Sequence, residues 1–365
     1  MKLFRKGSSG REVADIQGRL VAAGFLEQST GESALVEFGD ATDSAVRAFQ
    51  QERGLIADGI VGPDTWRSLV EASRTLGSRF LYLREPPLRG DDVADLQRRL
   101  NALGFYSGKE DGIFGHDAAL AVEHFQRNSG LPADGILGAK TVDALLKLSR
   151  VTKPTSVASV RERERGLPSG GIAGRRILID AGHGYPPDPG EVGPTGLMES
   201  VVAEQIVELL GGRLVEAGAI VLYSRRSGEY LSETERATLA NEQGVDLVIS
   251  IHLNGSVDPK ASGASSFYFA RGNYHSPYGY RFAHHFQDEI VSRLGVQDCR
   301  AHGRAYPLLR ETRMPVVIVE PVFITNLEEE TLLGRQESLV VIRDAIAAAA
   351  DLYFSGVASG AEESR

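Results

Sequence analysis

The stretch RILIDAGHG, from Arg176 to Gly184, holds an apolar run followed by an aspartate and by a histidine between two glycines. Four more short runs rich in β-branched residues follow it: AIVLYS, DLVISIH, SSFYFA and PVVIVE. Such runs are typical of strands. Segments with helical periodicity lie between or after them, at 201–217, 233–243, 280–294 and 336–353. The alternation predicts an open α/β sheet domain over residues 175–354, with helices on both faces.

The first half of the chain repeats itself. The segment from Gly10 to Leu26 returns from Gly90 to Tyr106, and each copy continues into a second matching segment that contains DGIVG or DGILG. Each copy predicts three short helices that are joined by tight turns, in which glycine suits the left-handed positions. We therefore predict a multidomain chain with two small three-helix modules, at 1–75 and 82–150. A linker at 151–174 and a flexible tail at 355–365 complete the prediction.

The overall composition excludes several classes of function. The net charge of −9 argues against sequence-independent binding of nucleic acid. Because Cys299 is the single cysteine, a metal site would need histidine and carboxylate ligands. The N-terminus lacks the apolar stretch of a secretory signal, and no apolar run is long enough to predict a transmembrane segment. We expect a cytoplasmic protein, with export to the cell wall or beyond by an unrecognised route as the alternative.

Polar side chains follow three of the predicted strands. His183 follows RILID, His252 follows DLVISI, and Glu320 ends PVVIV, while Glu199 opens the helix after the first strand. In open α/β sheets, ligands bind beyond the carboxyl ends of the strands, so we expect these side chains to meet at one edge. Two histidines and two carboxylates have the composition of a catalytic zinc site with three protein ligands, an open water position and a general base.

Each of these residues also has an ordinary structural interpretation. A histidine after a strand is commonly a hydrogen-bonded or surface residue, and Glu199 would suit the first turn of any helix through the helix dipole. Glu320 differs, because a glutamate at the end of so apolar a strand needs a cation or a proton as its partner. Arg310 and Arg313 could hold a substrate carboxylate, and a surface position is the alternative.

Taken in order, these motifs resemble a known enzyme family. The segments ILIDAGHG, GLMES, YSRRSGEYLSETERATLAN, DLVISIHLN, GASSFYFA and MPVVIVEPVFITN are similar in order and spacing to the zinc-dependent N-acetylmuramoyl-L-alanine amidases of the amidase-3 type. The resemblance spans residues 176–353. The repeated halves before it resemble the peptidoglycan-binding type 1 module. The whole arrangement resembles a group of actinobacterial proteins.

The resemblance implies roles for single residues. His183, Glu199 and His252 would be the ligands of a zinc ion, Zn²⁺, and Glu320 would be the catalytic carboxylate. The reaction implied is hydrolysis of the amide that joins N-acetylmuramic acid to L-alanine in peptidoglycan. Zinc would polarise the amide carbonyl and acidify water, while the carboxylate would move the proton.

Partners and alternatives also follow from the resemblance. Peptidoglycan or muropeptides would be the substrate, with Asn254 and Arg310 as candidates for binding it, and cell-wall synthesis proteins are possible partners. A second hypothesis is a cytoplasmic regulator of precursor synthesis that uses an amidase-like domain to recognise ligands or partner proteins. The absence of a leader favours the regulator, whereas retention of all four site residues favours the enzyme. In a third hypothesis the modules are plain protein-interaction bundles.

Overall fold

The computed structural model describes residues 2–27, 36–149, 170–272 and 274–356. These residues form two compact units, one built from the N-terminal helices and the other from the sheet and its helices. Most of the linker predicted at 151–174 and most of the tail predicted at 355–365 lie outside the described residues. Within the described ranges, no helix combines the length and the apolar character needed to cross a membrane.

The N-terminal unit contains the helical repeat that the sequence predicts. Its helices are α1 (Arg11–Ala22), α2 (Asp40–Glu52), α3 (Pro63–Ala72), α4 (Asp91–Ala102), α5 (His116–Asn128) and α6 (Ala139–Ser149). Helices α1 to α3 enclose one apolar core and α4 to α6 enclose another. An edge-to-face aromatic pair recurs in both cores, Phe25 with Phe49 and Phe105 with Phe125. The prediction of two small helical modules is confirmed, but the second module begins before the predicted residue 82, because Leu81 is buried in its core.

A buried glutamine on the middle helix of each module holds the turn before the last helix. In the first module, the Gln50 side-chain nitrogen donates to Asp58 Oδ1 at 2.8 Å, and its oxygen accepts from the Gly59 backbone N–H at 2.9 Å. Gln126 makes the same contacts in the second module, with Gly135 in place of Gly59. Both glycines have positive φ, which disfavours other residues. The recurring DGI segment therefore forms a tight turn that is held by the buried glutamine side chain.

The second unit is a mixed sheet with helices between its strands. The strands are β1 (Arg176–Ala181), β2 (Ile220–Tyr223), β3 (Leu247–Ile251), β4 (Ala264–Arg271), β5 (Tyr274–His275), β6 (Asp298–Arg304) and β7 (Val316–Glu320). Their order is β2-β1-β3-β7-β4-β5, and β6 pairs with β4. Strands β1, β2, β3 and β7 run parallel, whereas β4 is antiparallel to β7. The carboxyl ends of β1, β3 and β7 thus meet at one edge.

Helices cover both faces of this sheet. They are α7 (Glu199–Glu216), α8 (Glu233–Gln243), α9 (Pro277–Leu294), α10 (Pro307–Glu311), α11 (Leu327–Leu333) and α12 (Gln336–Ser355). Alternate strand residues such as Ile177 and Ile179 pack with α7, α9 and α12 in one large core. On the other face, α10 contacts β7, and α8 brings Arg236 to Asp180. The predicted open α/β sheet with helices on both faces is confirmed.

Strand β6 is a departure from the prediction. Its sequence, DCRAHGR, carries no apolar run, and all its residues keep some exposure to solvent. It is held by parallel pairing with β4, in which Phe267 lies opposite His302 and Phe269 lies opposite Arg304. Pairing with a neighbour, rather than intrinsic strand preference, makes this segment extended. As a consequence, the polar side chains of His302 and Arg304 share one face of the sheet with Phe267 and Phe269.

Candidate active site

The structure brings the four predicted site residues to one edge of the sheet. His183 lies two residues beyond the end of β1, His252 directly follows β3, and Glu320 is the last residue of β7. Neighbouring strands pair up to this edge, because Ala181 lies opposite Ile251 and Ile251 lies opposite Val319. Glu199 is the first residue of α7, and its side chain is buried.

The Glu199 carboxylate lies between two imidazole rings. Its Oε1 atom is 3.2 Å from His183 Nε2 and 3.0 Å from His252 Nδ1. One ligand atom from each of the three residues lies within 4.8 Å of the other two. Two imidazoles and one carboxylate form a donor set that suits zinc and leaves room for a fourth ligand. The sequence prediction brought together the same three residues.

The electrostatics of this cluster favour a positive charge. Burial by itself lowers the pKa of His183, but hydrogen bonds and charges of Glu199 and Asp188 outweigh burial and raise the pKa to about 9. Burial by itself raises the pKa of Glu199, but the two imidazoles outweigh burial and hold the pKa far below its usual range. The metal-free cluster therefore carries a proton on His183 at neutral pH. A divalent cation would take over the charge that this proton supplies.

Asp188 orients one of the imidazoles. Its Oδ2 atom lies 2.9 Å from His183 Nδ1, so that ring turns Nε2 toward Glu199. A carboxylate behind a histidine ligand fixes its tautomer and raises its basicity. Asp188 was not predicted from the sequence, because the loop YPPDPG has no periodicity that shows where its side chains point.

The backbone around His183 is held by two buried arginines. His183 has a φ of 58°, a left-handed conformation that is costly for a residue other than glycine. Arg225 donates to the carbonyl oxygens of Ala181 at 3.0 Å and Gly182 at 3.2 Å. Arg236 donates to the carbonyl oxygen of His183 itself. Three successive carbonyls are thereby satisfied, and the strained loop is kept in place.

Asp180 anchors the same loop from inside the sheet. The side chain is fully buried, and it accepts hydrogen bonds from Ser224 and from Ser250, the latter at 2.6 Å. Burial by itself raises the pKa of Asp180, but the charge of Arg236 and the two hydroxyls outweigh burial and lower the pKa. The aspartate in DAGHG is therefore an ionised counter-ion for Arg236, a role that the sequence analysis did not assign.

Gly182 makes room for a predicted ligand. A Cβ atom at this position would come within 2.5 Å of both ring nitrogens of His252. The second glycine, Gly184, lies against the backbone, because its Cβ atom would come within 2.5 Å of the Glu229 carbonyl oxygen. The structure shows close approach of a side chain and of backbone.

We expect Gly182→Ala to lower the affinity for zinc by about 10-fold or more, because the methyl group would displace the His252 ring. The measurement is competition with a chromophoric chelator. Gly212→Ala is the control, since a Cβ atom at Gly212 meets nothing within 4 Å. Unchanged affinity in Gly182→Ala would contradict the packing seen at His252.

Glu320 is held by a short relay of hydrogen bonds. Ser265 Oγ donates to Glu320 Oε2 at 3.0 Å, and Asn254 Nδ2 donates to Ser265 Oγ at 2.9 Å. Burial raises the pKa of Glu320 to about 7, against the opposing effects of His252 and Ser265. The Asn254 amide nitrogen contacts Ser265 and so positions the partner of Glu320, while the role predicted for Asn254 in substrate binding stays a prediction. Ser265 itself was not predicted.

Comparison with known proteins decides the family. A family model described as N-acetylmuramoyl-L-alanine amidase matches residues 177–351, and one described as a putative peptidoglycan binding domain matches 9–69 and 89–145. The chain is 41% identical to N-acetylmuramoyl-L-alanine amidase CwlM of Mycobacterium tuberculosis, over 97% of this chain and 90% of that protein. The chain belongs to the N-acetylmuramoyl-L-alanine amidase family.

Other amidases are similar to part of this chain. A probable N-acetylmuramoyl-L-alanine amidase of Bacillus licheniformis is 38% identical, and the match covers 40% of this chain and 45% of that protein. The crystal structure of the N-acetylmuramoyl-L-alanine amidase of Clostridium difficile 630 is 28% identical with a TM-score of 0.46, and covers 48% of this chain and 94% of that chain. The amidase match contains all four predicted residues, and the family assignment made from the motifs is confirmed.

Arg310 does not stand at a strand end within the amidase domain. It lies on α10, the helix that precedes β7, whereas Glu320 is the last residue of that strand. Its backbone N–H donates to the carbonyl oxygen of Tyr306 at 2.9 Å. The role predicted for Arg310 in substrate binding stays a prediction.

The second peptidoglycan-binding module carries a groove beside the DGILG turn. The cavity has a volume of about 700 Å³, and Phe80, Tyr82 and Ile136 are among its lining residues. Phe80 is 64% exposed and Tyr82 is 42% exposed. In the first module, where Phe4 pairs with Val61 as Leu81 pairs with Leu137, Leu3 takes the place of Phe80. Only the second module therefore presents an aromatic ring at this position.

Proposed function

We propose that this protein is a zinc-dependent N-acetylmuramoyl-L-alanine amidase, which hydrolyses the amide between N-acetylmuramic acid and L-alanine of peptidoglycan. The observation that carries the proposal is the convergence of His183, Glu199 and His252 around space for one cation, with Glu320 on the neighbouring strand. Membership of the amidase family supports the identity of the bond that is cut.

The chemistry of the site fits zinc. The donor set is two imidazoles and one buried carboxylate, and Asp188 supplies the outer carboxylate that histidine ligands commonly have. Glu199 is also oriented by the backbone N–H groups of Glu191 at 2.9 Å and Leu253 at 3.0 Å. When bound, zinc supplies a Lewis acid that polarises an amide carbonyl and makes water acidic near neutral pH.

Glu320 is the residue that we assign to proton transfer. Its raised pKa, about 7, allows the carboxylate to accept a proton from the attacking water and to return it to the leaving amine of L-alanine. Because Ser265 binds Oε2, Oε1 is the oxygen that we assign to this transfer. Asn254 keeps the Ser265 hydroxyl in place and so keeps the carboxylate aimed.

The two N-terminal modules would hold the substrate. Both match the peptidoglycan-binding model, and the second presents Phe80 and Tyr82 at its surface. We propose that they bind peptidoglycan or muropeptides and raise the local concentration of cleavable bonds. The cytoplasmic compartment stays a prediction, and there the substrate would be a soluble fragment.

Release of free L-alanine amino termini from purified muropeptides tests the proposal. We expect the full chain to release them, chelation to abolish release, and added zinc to restore it. New reducing sugar ends instead of amino termini would show that a different bond is cut. Release that continues after complete chelation would contradict the metal mechanism.

The regulatory hypothesis predicts a different result. A regulator that recognises precursors without hydrolysis would bind muropeptides and release no amino termini when fully loaded with zinc. The buried cluster and the raised pKa of Glu320 favour the enzyme, since recognition alone requires neither.

A further inference from the structure

A half-buried arginine lies on the same face of the sheet as Glu320. Ser265 lies opposite Glu320 and Phe267 lies opposite Ile318, so the site face of β4 continues from Ser265 to Phe267. The guanidinium of Arg304, at the end of β6, lies over the Phe267 ring at 5.6 Å. It is close enough for its charge to lower the pKa of Glu320. Arg304 thus belongs to β6, two strands from Glu320 on β7, and its guanidinium extends over Phe267 on the strand between them.

The surroundings of Arg304 fix its side chain but do not neutralise it. Arg304 donates to the carbonyl oxygen of Gly303 at 3.0 Å and to the Tyr306 hydroxyl. The Tyr306 ring packs on Phe267 with centroids 5.8 Å apart. No carboxylate in the described ranges of the chain forms an ion pair with Arg304. A partly buried guanidinium that packs on aromatic rings and has no counter-ion gains free energy when it binds an anion, because a buried charge is costly unless it is paired.

We propose that Arg304 is a specificity residue that binds a carboxylate of the stem peptide beside the scissile amide. This inference rests on the proposed amidase function and deepens it. The matching substrate would carry a free carboxyl group on the residue after L-alanine, and a carboxamide at that place is the natural comparison. A planar guanidinium binds a carboxylate through two parallel hydrogen bonds, which a carboxamide cannot reproduce.

The test compares two muropeptides that differ only in this group, a free carboxylate or a carboxamide. We expect the wild-type protein to prefer the free carboxylate by about 10- to 100-fold in kcat/KM. Arg304→Met should lose this preference, mainly through a higher KM, and Arg304→Lys should keep part of it. Arg335→Met is the control, because Arg335 is an exposed arginine between α11 and α12.

Two results would overturn the proposal. If Arg304→Met lost kcat/KM equally on both substrates, Arg304 would only support Tyr306 or Glu320. If the wild type had equal kcat/KM on both substrates, it would not select the free carboxylate. Cleavage of the carboxamide substrate reports the amidase function independently of Arg304. If the wild type cleaves neither substrate, calorimetric binding of both muropeptides decides: the acidic one should bind Arg304→Met more weakly, and unchanged binding contradicts the proposal.

Discussion

Replacement of Glu320 with glutamine is expected to lower kcat for muropeptide hydrolysis by about 10² to 10⁴-fold, the usual contribution of a general acid–base group. Glutamine keeps the shape of the side chain and an oxygen that can accept from Ser265, but it cannot take up a proton. Zinc affinity should stay within a few-fold of the wild type, because Glu320 is not one of the three clustered ligand residues.

The same variant should change the pH dependence of the reaction. Glu320 must be ionised to accept a proton, so the wild-type rate should rise with pH through the pKa of Glu320. Burial places that pKa at about 7 in the metal-free protein, and a bound cation would lower it. The residual activity of Glu320→Gln should lack this rise.

Stability of the chelated protein gives a readout without turnover. Because the folded-state pKa of Glu320 is raised, the folded protein binds this proton more tightly than the unfolded chain does, and stability is lost as pH rises from about 4.5 through about 7. Between pH 5 and pH 8, the wild type should lose about 2 kcal/mol of unfolding free energy that Glu320→Gln keeps. Urea unfolding at the two pH values measures this.

Glu328→Gln is the matched control for both readouts. Glu328 lies in the first turn of α11, which follows β7 after a short loop. Its side chain is exposed. We expect wild-type kinetics and an unchanged pH profile. If Glu320→Gln also kept wild-type turnover with zinc bound, the assignment of proton transfer to Glu320 would be wrong.

The sequence predicted the elements whose residues are apolar on at least one face. The runs at β1, β3 and β7 are buried along their whole length or nearly so, and such strands show as continuous apolar segments. Strand β6 was not predicted, because DCRAHGR is extended only through its pairing with β4. Arg304 was missed for the same reason, because without the strand nothing places it beside Phe267.

Some residues of the candidate site were likewise predicted from the sequence, and others were not. His183, His252 and Glu320 were predicted because each stands at or just beyond the end of a recognisable strand. In open α/β sheets, ligands bind beyond the carboxyl ends of the strands. Their supporting residues were not predicted, because hydrogen bonds such as Ser265 to Glu320 join segments 55 positions apart. Asn254 stands beside a predicted ligand, but its side chain turns toward Ser265, a direction that sequence spacing does not encode.

Replacement of Glu199 with glutamine should have the largest effect on metal binding. The change removes the negative charge between His183 and His252, and we expect zinc affinity to fall by at least about 100-fold, more than the loss of a typical outer partner. Glu208→Gln is the control, because Glu208 is an exposed glutamate on the same helix. Competition with a chromophoric chelator gives both affinities.

The metal-free protein supplies a second readout for the same variant. Glu199 is the main cause that raises the pKa of His183 to about 9, and burial opposes it, so in Glu199→Gln the pKa should fall markedly toward its ordinary value of 6.5. Nuclear magnetic resonance titration of the His183 ring would report the change. The assignment of Glu199 would be wrong if the variant kept zinc affinity within a few-fold of the wild type and the pKa of His183 did not change. Glu199 would then neither bind the cation nor stabilise the proton on His183.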